Sequence, residues 1–280
     1  MSERITFTLD DDGVGHVRLA RPDKMNALDG AMFDALIGIS ERLATLRGLR
    51  AVVIAGEGRA FCAGLDMASF GRMSEPGDSA AGSVADPSAP KSVDVTDLVP
   101  RTHGLANKPQ QVAWAWRELP VPVIAAVHGV AFGGGLQIAL GADVRLVTAD
   151  LKMSVMEIKW GLVPDMAGIP LMRSLARDDV VRELTYTGRV FSGAEALAIG
   201  FATRVCEDPL AAAIEMARGI AGRSPDAIRA DKRLFNQSHT GTDAELMMAE
   251  SVEQQRIIGS PNQTEAVRAA MEKRAPVFVD

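Results

Sequence analysis

The chain has 280 residues, 47% of them hydrophobic and 24% charged, with a net charge of −6. That length buries a large core in one or two domains, and the balance is that of an ordinary globular protein. An acidic chain without a cluster of Lys and Arg excludes a nucleic-acid or membrane-surface footprint. Its two cysteines, Cys62 and Cys206, are too few for a disulfide framework and lack zinc-ligand spacing, so no metal site is expected. No run reaches the roughly 18 uninterrupted apolar residues of a membrane helix. The longest candidate, residues 121–130, is broken by Pro122, His128 and Gly129. The first residues, Met1-Ser2-Glu3-Arg4-Ile5-Thr6, contain no apolar signal segment, and a cytoplasmic protein is expected.

Two alternating segments, Ile5-Thr6-Phe7-Thr8-Leu9 and His16-Val17-Arg18-Leu19, flank Asp10-Asp11-Asp12-Gly13 and predict a hairpin. From Asp29 the apolar positions Met32, Leu36, Ile39, Leu43 and Leu46 follow helical spacing, closed by Gly48. Ala51-Val52-Val53-Ile54-Ala55 reads as a buried strand. Residues 73–99 lose periodicity and are dominated by Pro, Ser, Ala, Gly and Asp, which predicts a long loop that is either surface decoration or a lid. A helix resumes near Lys108 to Glu118, followed by strands at Val123 to Val127 and Val144 to Val147. Strands alternating with helices predict an α/β core. Ser192-Gly193-Ala194-Glu195 has the form of a capping box opening a short helix that Gly200 ends. From Pro209 the chain reads as helical to near Ala275, with breaks at 223–225, 238–241 and 259–261. The expected division is a core over residues 1–207 and a C-terminal helical subdomain over 208–280.

One junction carries chemistry. The apolar run Val123-Ile124-Ala125-Ala126-Val127 leads into Gly133-Gly134-Gly135-Leu136-Gln137. A strand running through glycines into a helix exposes backbone N–H groups and a positive helix end, which suits a developing negative oxygen. Four segments in order are informative together. They are Arg21-Pro22-Asp23-Lys24-Met25-Asn26-Ala27-Leu28, Ala60-Phe61-Cys62-Ala63-Gly64-Leu65-Asp66-Met67, residues 122–137, and residues 157–165. Over residues 5–207 the chain resembles the crotonase superfamily, the enoyl-CoA hydratase/isomerase fold.

The resemblance implies a spiral of repeated ββα units with a C-terminal helical region, assembled as homotrimers or as a hexamer, a dimer of trimers. It implies an acyl-CoA thioester substrate with no separate cofactor, since coenzyme A arrives as part of the substrate. The thioester oxygen would lie between the N–H groups of Leu65 and Gly134. Lys24, Met25, Ala27, Ala63, Gly64, Asp66, Met67 and Gly133 match the segments that hold CoA, and Lys232 and Arg233 are further candidate phosphate partners.

The acid/base groups depart from the hydratase pattern. Hydratases of this family use two glutamates. Gln137 stands at the first position and Glu157 at the second, and an amide carries no proton at working pH. Eight residues after Glu157 comes Asp165, where family hydratases usually have glycine and isomerases often have aspartate. Dienoyl-CoA isomerases pair a glutamate and an aspartate at this spacing and have aspartate in place of Gln137, so the match is two of three. A glutamate within Met153-Ser154-Val155-Met156-Glu157-Ile158 requires a partner or a role. Asp165, after Pro164, is either a second acid/base group or a helix N-cap. His128 reads as structural. Cys62 has no base placed for it, Ser154 lacks a nucleophile elbow, and no nucleotide-binding glycine motif occurs.

Double-bond isomerisation by Glu157 with Asp165 is therefore expected, with Gln137 orienting the thioester or a water. The alternatives are hydration of a 2-enoyl-CoA by Glu157 and a Gln137-oriented water, a CoA-thioester binding protein with vestigial catalysis, and hydrolysis, decarboxylation or C–C cleavage of an acyl-CoA, since one oxyanion site serves them all.

Overall fold

The computed structural model describes residues 4–66 and 97–280. The predicted hairpin forms from β1 (Ile5–Leu9) and β2 (Val14–Leu19), antiparallel, with Gly13 in the left-handed region at the turn. A 3-10 turn (Pro22–Lys24) leads to α1 (Gly30–Ala44), whose N-cap Asp29 accepts from the Met32 N–H at 2.9 Å. The helix ends before Gly48, and Leu46 lies in a following turn. β3 (Ala51–Gly56) follows, then α2 (Lys108–Glu118), opened by a full capping box between Asn107 and Gln110. Next come β4 (Val123–Val127), β5 (Val130–Phe132) and α3 (Gly134–Gly141). β6 (Val144–Val147) and β7 (Lys152–Ser154) lead into a 3-10 turn (Met156–Trp160). α4 (Gly168–Met172), α5 (Asp178–Thr187), β8 (Phe191–Ser192), α6 (Gly193–Ile199) and β9 (Arg204–Val205) complete the core region. Four helices follow, α7 (Pro209–Ala221), α8 (Pro225–Gln237), α9 (Asp243–Ile257) and α10 (Pro261–Glu272).

The main sheet has the order β1-β2-β3-β4-β6-β9 and is parallel except for the hairpin. A second sheet, β5-β7-β8, takes the strands that follow β4 and β6 directly. Each strand of the pair β4/β6 thus hands the chain to a short strand in the other sheet, the ββ part of the expected spiral unit. The repeat is invisible in the sequence because β5 and β7 span only three residues each.

A parallel sheet covered on both faces needs apolar residues at every position. Alternate residues of β3 and β4 therefore serve two cores. Val52, Ile54, Val123, Ala125 and Val127 join a large core with Leu36, Phe61, Trp116 and Leu136. Ala51, Val53, Ala55, Ile124 and Ala126 face the other way and pack with Ala213 and Ala217 of α7. The alanines, four apart, let α7 lie close on the sheet. Burying each large side chain contributes about 1.5–3 kcal/mol.

The capping box expected at Ser192 is only half formed. Ser192 Oγ accepts from the Glu195 N–H at 3.1 Å, but the Glu195 carboxylate pairs with Arg189 at 2.6 Å instead of returning to the Ser192 N–H. A guanidinium outcompetes a single amide donor for that carboxylate. Among the described residues no helix is long and apolar enough to cross a membrane, and no cluster of His, Cys, Asp and Glu is set to hold a metal ion.

Because α7 covers one face of the sheet, a chain ended at Glu207 should aggregate and lose its cooperative thermal transition in calorimetry. A soluble truncated chain with one sharp transition would contradict the placement of α7 in the core.

Candidate active site

The segment 60–66 runs alongside β5, bridged to it between Cys62 and Ala131. Phe61 N–H donates to His128 O at 2.9 Å, Cys62 N–H to Val130 O at 3.0 Å, and Phe132 N–H to Cys62 O at 3.1 Å. Gly64 follows with φ +87°, and a Cβ there would lie 2.6 Å from Phe132 O and 3.8 Å from Gly134 N. Only glycine meets both demands. On its other side the segment pairs with the loop before α1: Leu28 N–H donates to Gly64 O at 2.8 Å, and Asp66 N–H to Leu28 O at 3.0 Å. This pattern turns the Leu65 N–H away from Leu28, and it has no partner among the described residues. Gly134 opens α3, so its N–H has no intrahelical acceptor and sits at the positive helix end. Both residues line one cavity of about 740 Å³.

Asn26 holds the loop that faces this cavity. It is fully buried, accepts from Arg21 N–H at 2.8 Å, and donates to Glu57 O at 3.0 Å and Ala60 O at 2.8 Å. Those bonds fix Met25 and Asn26 in the left-handed region, which Asn tolerates better than most residues. The Arg21 guanidinium donates to Asp66 at 2.6 Å and to Ala27 O at 3.0 Å, tying residues 21–28 to 60–66. Arg21 and Asn26 stand in the first motif without a role assigned to them by sequence. Their signal was polarity inside a segment leading straight to an apolar helix.

Glu157 stands on the 3-10 turn, 9% exposed, against the β5–α3 junction. A Cβ on Gly133 would lie 3.1 Å from its Oε1, so the glycine makes room for the carboxylate. Gln137 Nε2 donates to Oε1 at 2.6 Å. Oε2 has no partner among the described residues. Burial pushes the Glu157 pKa up, hydrogen bonds from its own backbone and from Gln137 partly offset this, and the charge of Asp165 adds to the rise. Asp165 stands exposed on the cavity wall, and desolvation by the surrounding protein raises its pKa too. It does not cap a helix: α4 begins three residues past it, behind Ala167 in the left-handed region, with no side-chain cap.

Of the residues expected at the site, Lys24, Met25, Ala27, Ala63, Gly64, Leu65, Asp66, Gly133, Gly134, Glu157 and Asp165 all line this cavity. Met67 and nearly all of residues 73–99 lie outside the described residues. Gln137 is not on the wall; it is 1% exposed and lies behind Glu157. Lys232 and Arg233 are corrected. Lys232 is buried and donates to Trp116 O, Val121 O and Asp143, so its three protons are used, while Arg233 pairs with Glu253 at 2.8 Å. Neither lines the cavity. His128 donates from Nε2 to Gly58 O at 2.8 Å. The Cys62 thiol is buried, bonded to Asn26 O at 3.1 Å, and pushed up to about 12, which removes it as a nucleophile. The apolar wall of Phe33, Pro109, Phe132, Met156, Trp160 and Met166 was not anticipated, because apolar residues on a turn or beside a helix stripe look like core.

A sequence model described as enoyl-CoA hydratase/isomerase matches residues 14–277 of this chain. The chain belongs to the enoyl-CoA hydratase/isomerase family. Rat mitochondrial Delta(3,5)-Delta(2,4)-dienoyl-CoA isomerase is 30% identical over 284 residues, covering 97% of this chain and 80% of that protein. Human mitochondrial enoyl-CoA hydratase domain-containing protein 2 is 30% identical over 279 residues, covering 96% and 86%. The crystal structure of an enoyl-CoA hydratase from Mycobacterium smegmatis matches with a TM-score of 0.79 and 28% identity over 98% of each chain. The family and the α/β fold expected from the four motifs are thereby established, and this family member is an enzyme by the company it keeps.

Removing the Asn26 amide leaves several backbone groups buried without partners. Asn26→Ala should cost at least about 1–3 kcal/mol and lower Tm by roughly 2–12 °C. A thermal melt within roughly 1 °C of the parent protein would contradict its role in holding the loop.

Proposed function

We propose that the protein moves a double bond along an enoyl- or dienoyl-CoA thioester. The observation that carries this reading is the cavity's acid/base set: Glu157 with an unpartnered Oε2, and Asp165 on the same wall, with Gln137 withdrawn from it. The thioester oxygen accepts from the Leu65 and Gly134 N–H groups. Fixed dipoles aimed at that oxygen stabilise an enolate more than the ground state, each donor by about 2.7–4 kcal/mol. The Glu157 carboxylate takes the proton from the carbon next to the thioester, and the C–H electron pair moves into the conjugated system as negative charge gathers on the oxygen. Asp165 then returns a proton further along the chain. With a 3,5-dienoyl thioester, loss of a proton at C2 and gain at C6 leaves the 2,4-diene. One proton leaves and one enters, so substrate and product are isomers, and exchange with solvent resets the two carboxyl groups.

Hydration is the weaker reading because it needs a water held between two groups on the wall, and Gln137 is behind it. No cofactor is required, since CoA arrives on the substrate. The names of the relatives, both dienoyl-CoA isomerase and enoyl-CoA hydratase, support an acyl-CoA substrate. Asp23, Lys24 and Met25 at one end of the cavity suit the polar CoA, and the apolar wall suits an acyl chain.

Three substrates separate the readings: 2-enoyl-, 3-enoyl- and 3,5-dienoyl-CoA, followed by product analysis. Double-bond migration is expected in the last two, and Glu157→Gln should lower kcat by about 10²–10⁴-fold. Fast hydration of the 2-enoyl thioester without migration in the others would overturn isomerisation, and no turnover of any would leave a CoA-binding protein. The pH profile has a defined sign. Glu157 must be deprotonated and its pKa is raised, so activity falls on the acid side at a pH above the ordinary glutamate range. Asp165 must start protonated and its pKa is also raised, so the alkaline fall lies above the ordinary aspartate range.

The same reading makes the chain a homotrimer or a dimer of trimers. Its support is α9, which has no buried residue and exposes Met247 and Met248 to solvent in the single chain. Light scattering should return three or six times 29.7 kDa, and a monomer at micromolar concentration would contradict it.

A further inference from the structure

The two oxygens of Glu157 are not equivalent. Oε1 carries the 2.6 Å bond from Gln137 Nε2 and faces Gly133, while Oε2 is buried without a partner among the described residues. Gln137 itself stands one turn into α3 and contributes nothing to the cavity wall. Its own Oε1 has no partner among the described residues and lies against the start of α4, where a Cβ on Gly168 would come within 2.7 Å of it. An amide packed there has one orientation that donates to the glutamate, and Gly168 leaves the space for it.

We infer that Gln137 is a positioning residue for the Glu157 base: its bond to Oε1 fixes the plane and rotamer of the carboxylate. This deepens the proposed function and rests on its reading of Glu157 as the base. The residue type follows from the geometry. A carboxylate at position 137 would put a second negative charge 2.6 Å from the first, and the pair would share a proton. The amide supplies a permanent donor and takes no part in the titration. It also restrains a side chain that burial would otherwise drive toward its neutral form.

The charge environment of Glu157 is simple. Asp165, from the loop before α4, is the charged group acting on it. α3 presents only the neutral Gln137, the β5–α3 junction only glycines, and α5, packed under the turn through Gly188 and Ile158, adds no charge that shifts it. A change at position 137 is therefore read directly in the titration of Glu157.

The test follows that titration in substrate-free protein, by carbon NMR of side-chain-labelled glutamate, with Glu157→Gln identifying the signal. In Gln137→Met the midpoint should rise by about half to one pH unit, since one hydrogen bond to the charged form is lost. In Gln137→Glu, which keeps the shape and guards against a folding failure in the first variant, it should rise further. With an acyl-CoA that the parent turns over, Gln137→Met should lower kcat, keep KM within about twofold, and move the acid limb of the profile with the NMR midpoint. A Glu157 midpoint unchanged in both variants overturns the inference, as does a tenfold rise in KM with the midpoint unmoved, which would place Gln137 against the substrate. A midpoint that moves in a protein that turns over no acyl-CoA upholds Gln137 as the partner of Glu157 and sinks only the isomerase reading.

Discussion

The pairing of residues 60–66 with β5 is the constraint on which the site depends. Three backbone hydrogen bonds, from Phe61, Cys62 and Phe132, draw the segment against the β5–α3 junction. A Cβ on Gly135 would lie 2.3 Å from Cys62 O, so the helix start can come this close only as glycine. The same approach sets the Leu65 and Gly134 N–H groups beside one cavity, with no acceptor for them among the described residues. Two donors left over from secondary structure are normally a cost. Here they present polarity to the cavity, and the bonds of Asn26 and Arg21 tie residues 21–28 to 60–66.

The chemistry of Glu157 reflects a balance of opposing effects. Burial disfavours its charge, while hydrogen bonds from the backbone and Gln137 favour it. Desolvation is the larger, so the carboxylate is a stronger base than an exposed glutamate yet remains in a single orientation. Asp165 differs in kind: it is exposed on the wall, and its proton exchanges with solvent more readily. Two carboxyl groups in unlike surroundings are suited to unlike roles. A proton taken by one and returned by the other needs that asymmetry.

Much of this was legible in the residues. The hairpin, the buried strands, α2 and the helical C-terminal region follow from period and punctuation, and four ordered motifs placed the chain in its family. What was not legible depended on distant partners. β5 and β7 are too short for periodicity to register. Ser192 and Glu195 have capping-box spacing, but Arg189 takes the glutamate. Lys232 was a candidate phosphate partner, yet Asp143 and two carbonyls take its three protons. Gln137 was placed by motif at the substrate, and only the packing of α3 against the turn puts it behind Glu157. Asp165 could have been a cap by spacing alone, and the left-handed Ala167 removes that option.

In the proposed reaction one oxygen of an acyl-CoA lies between two backbone donors while the Glu157 carboxylate faces the adjacent carbon. The most direct measurement is a crystal structure of Glu157→Gln with a 3,5-dienoyl-CoA bound. The thioester oxygen should lie within hydrogen-bond distance of both Leu65 N and Gly134 N, with the residue 157 side chain against C2. A thioester lying elsewhere in the cavity, or an oxygen bonded to neither N–H, would contradict this placement.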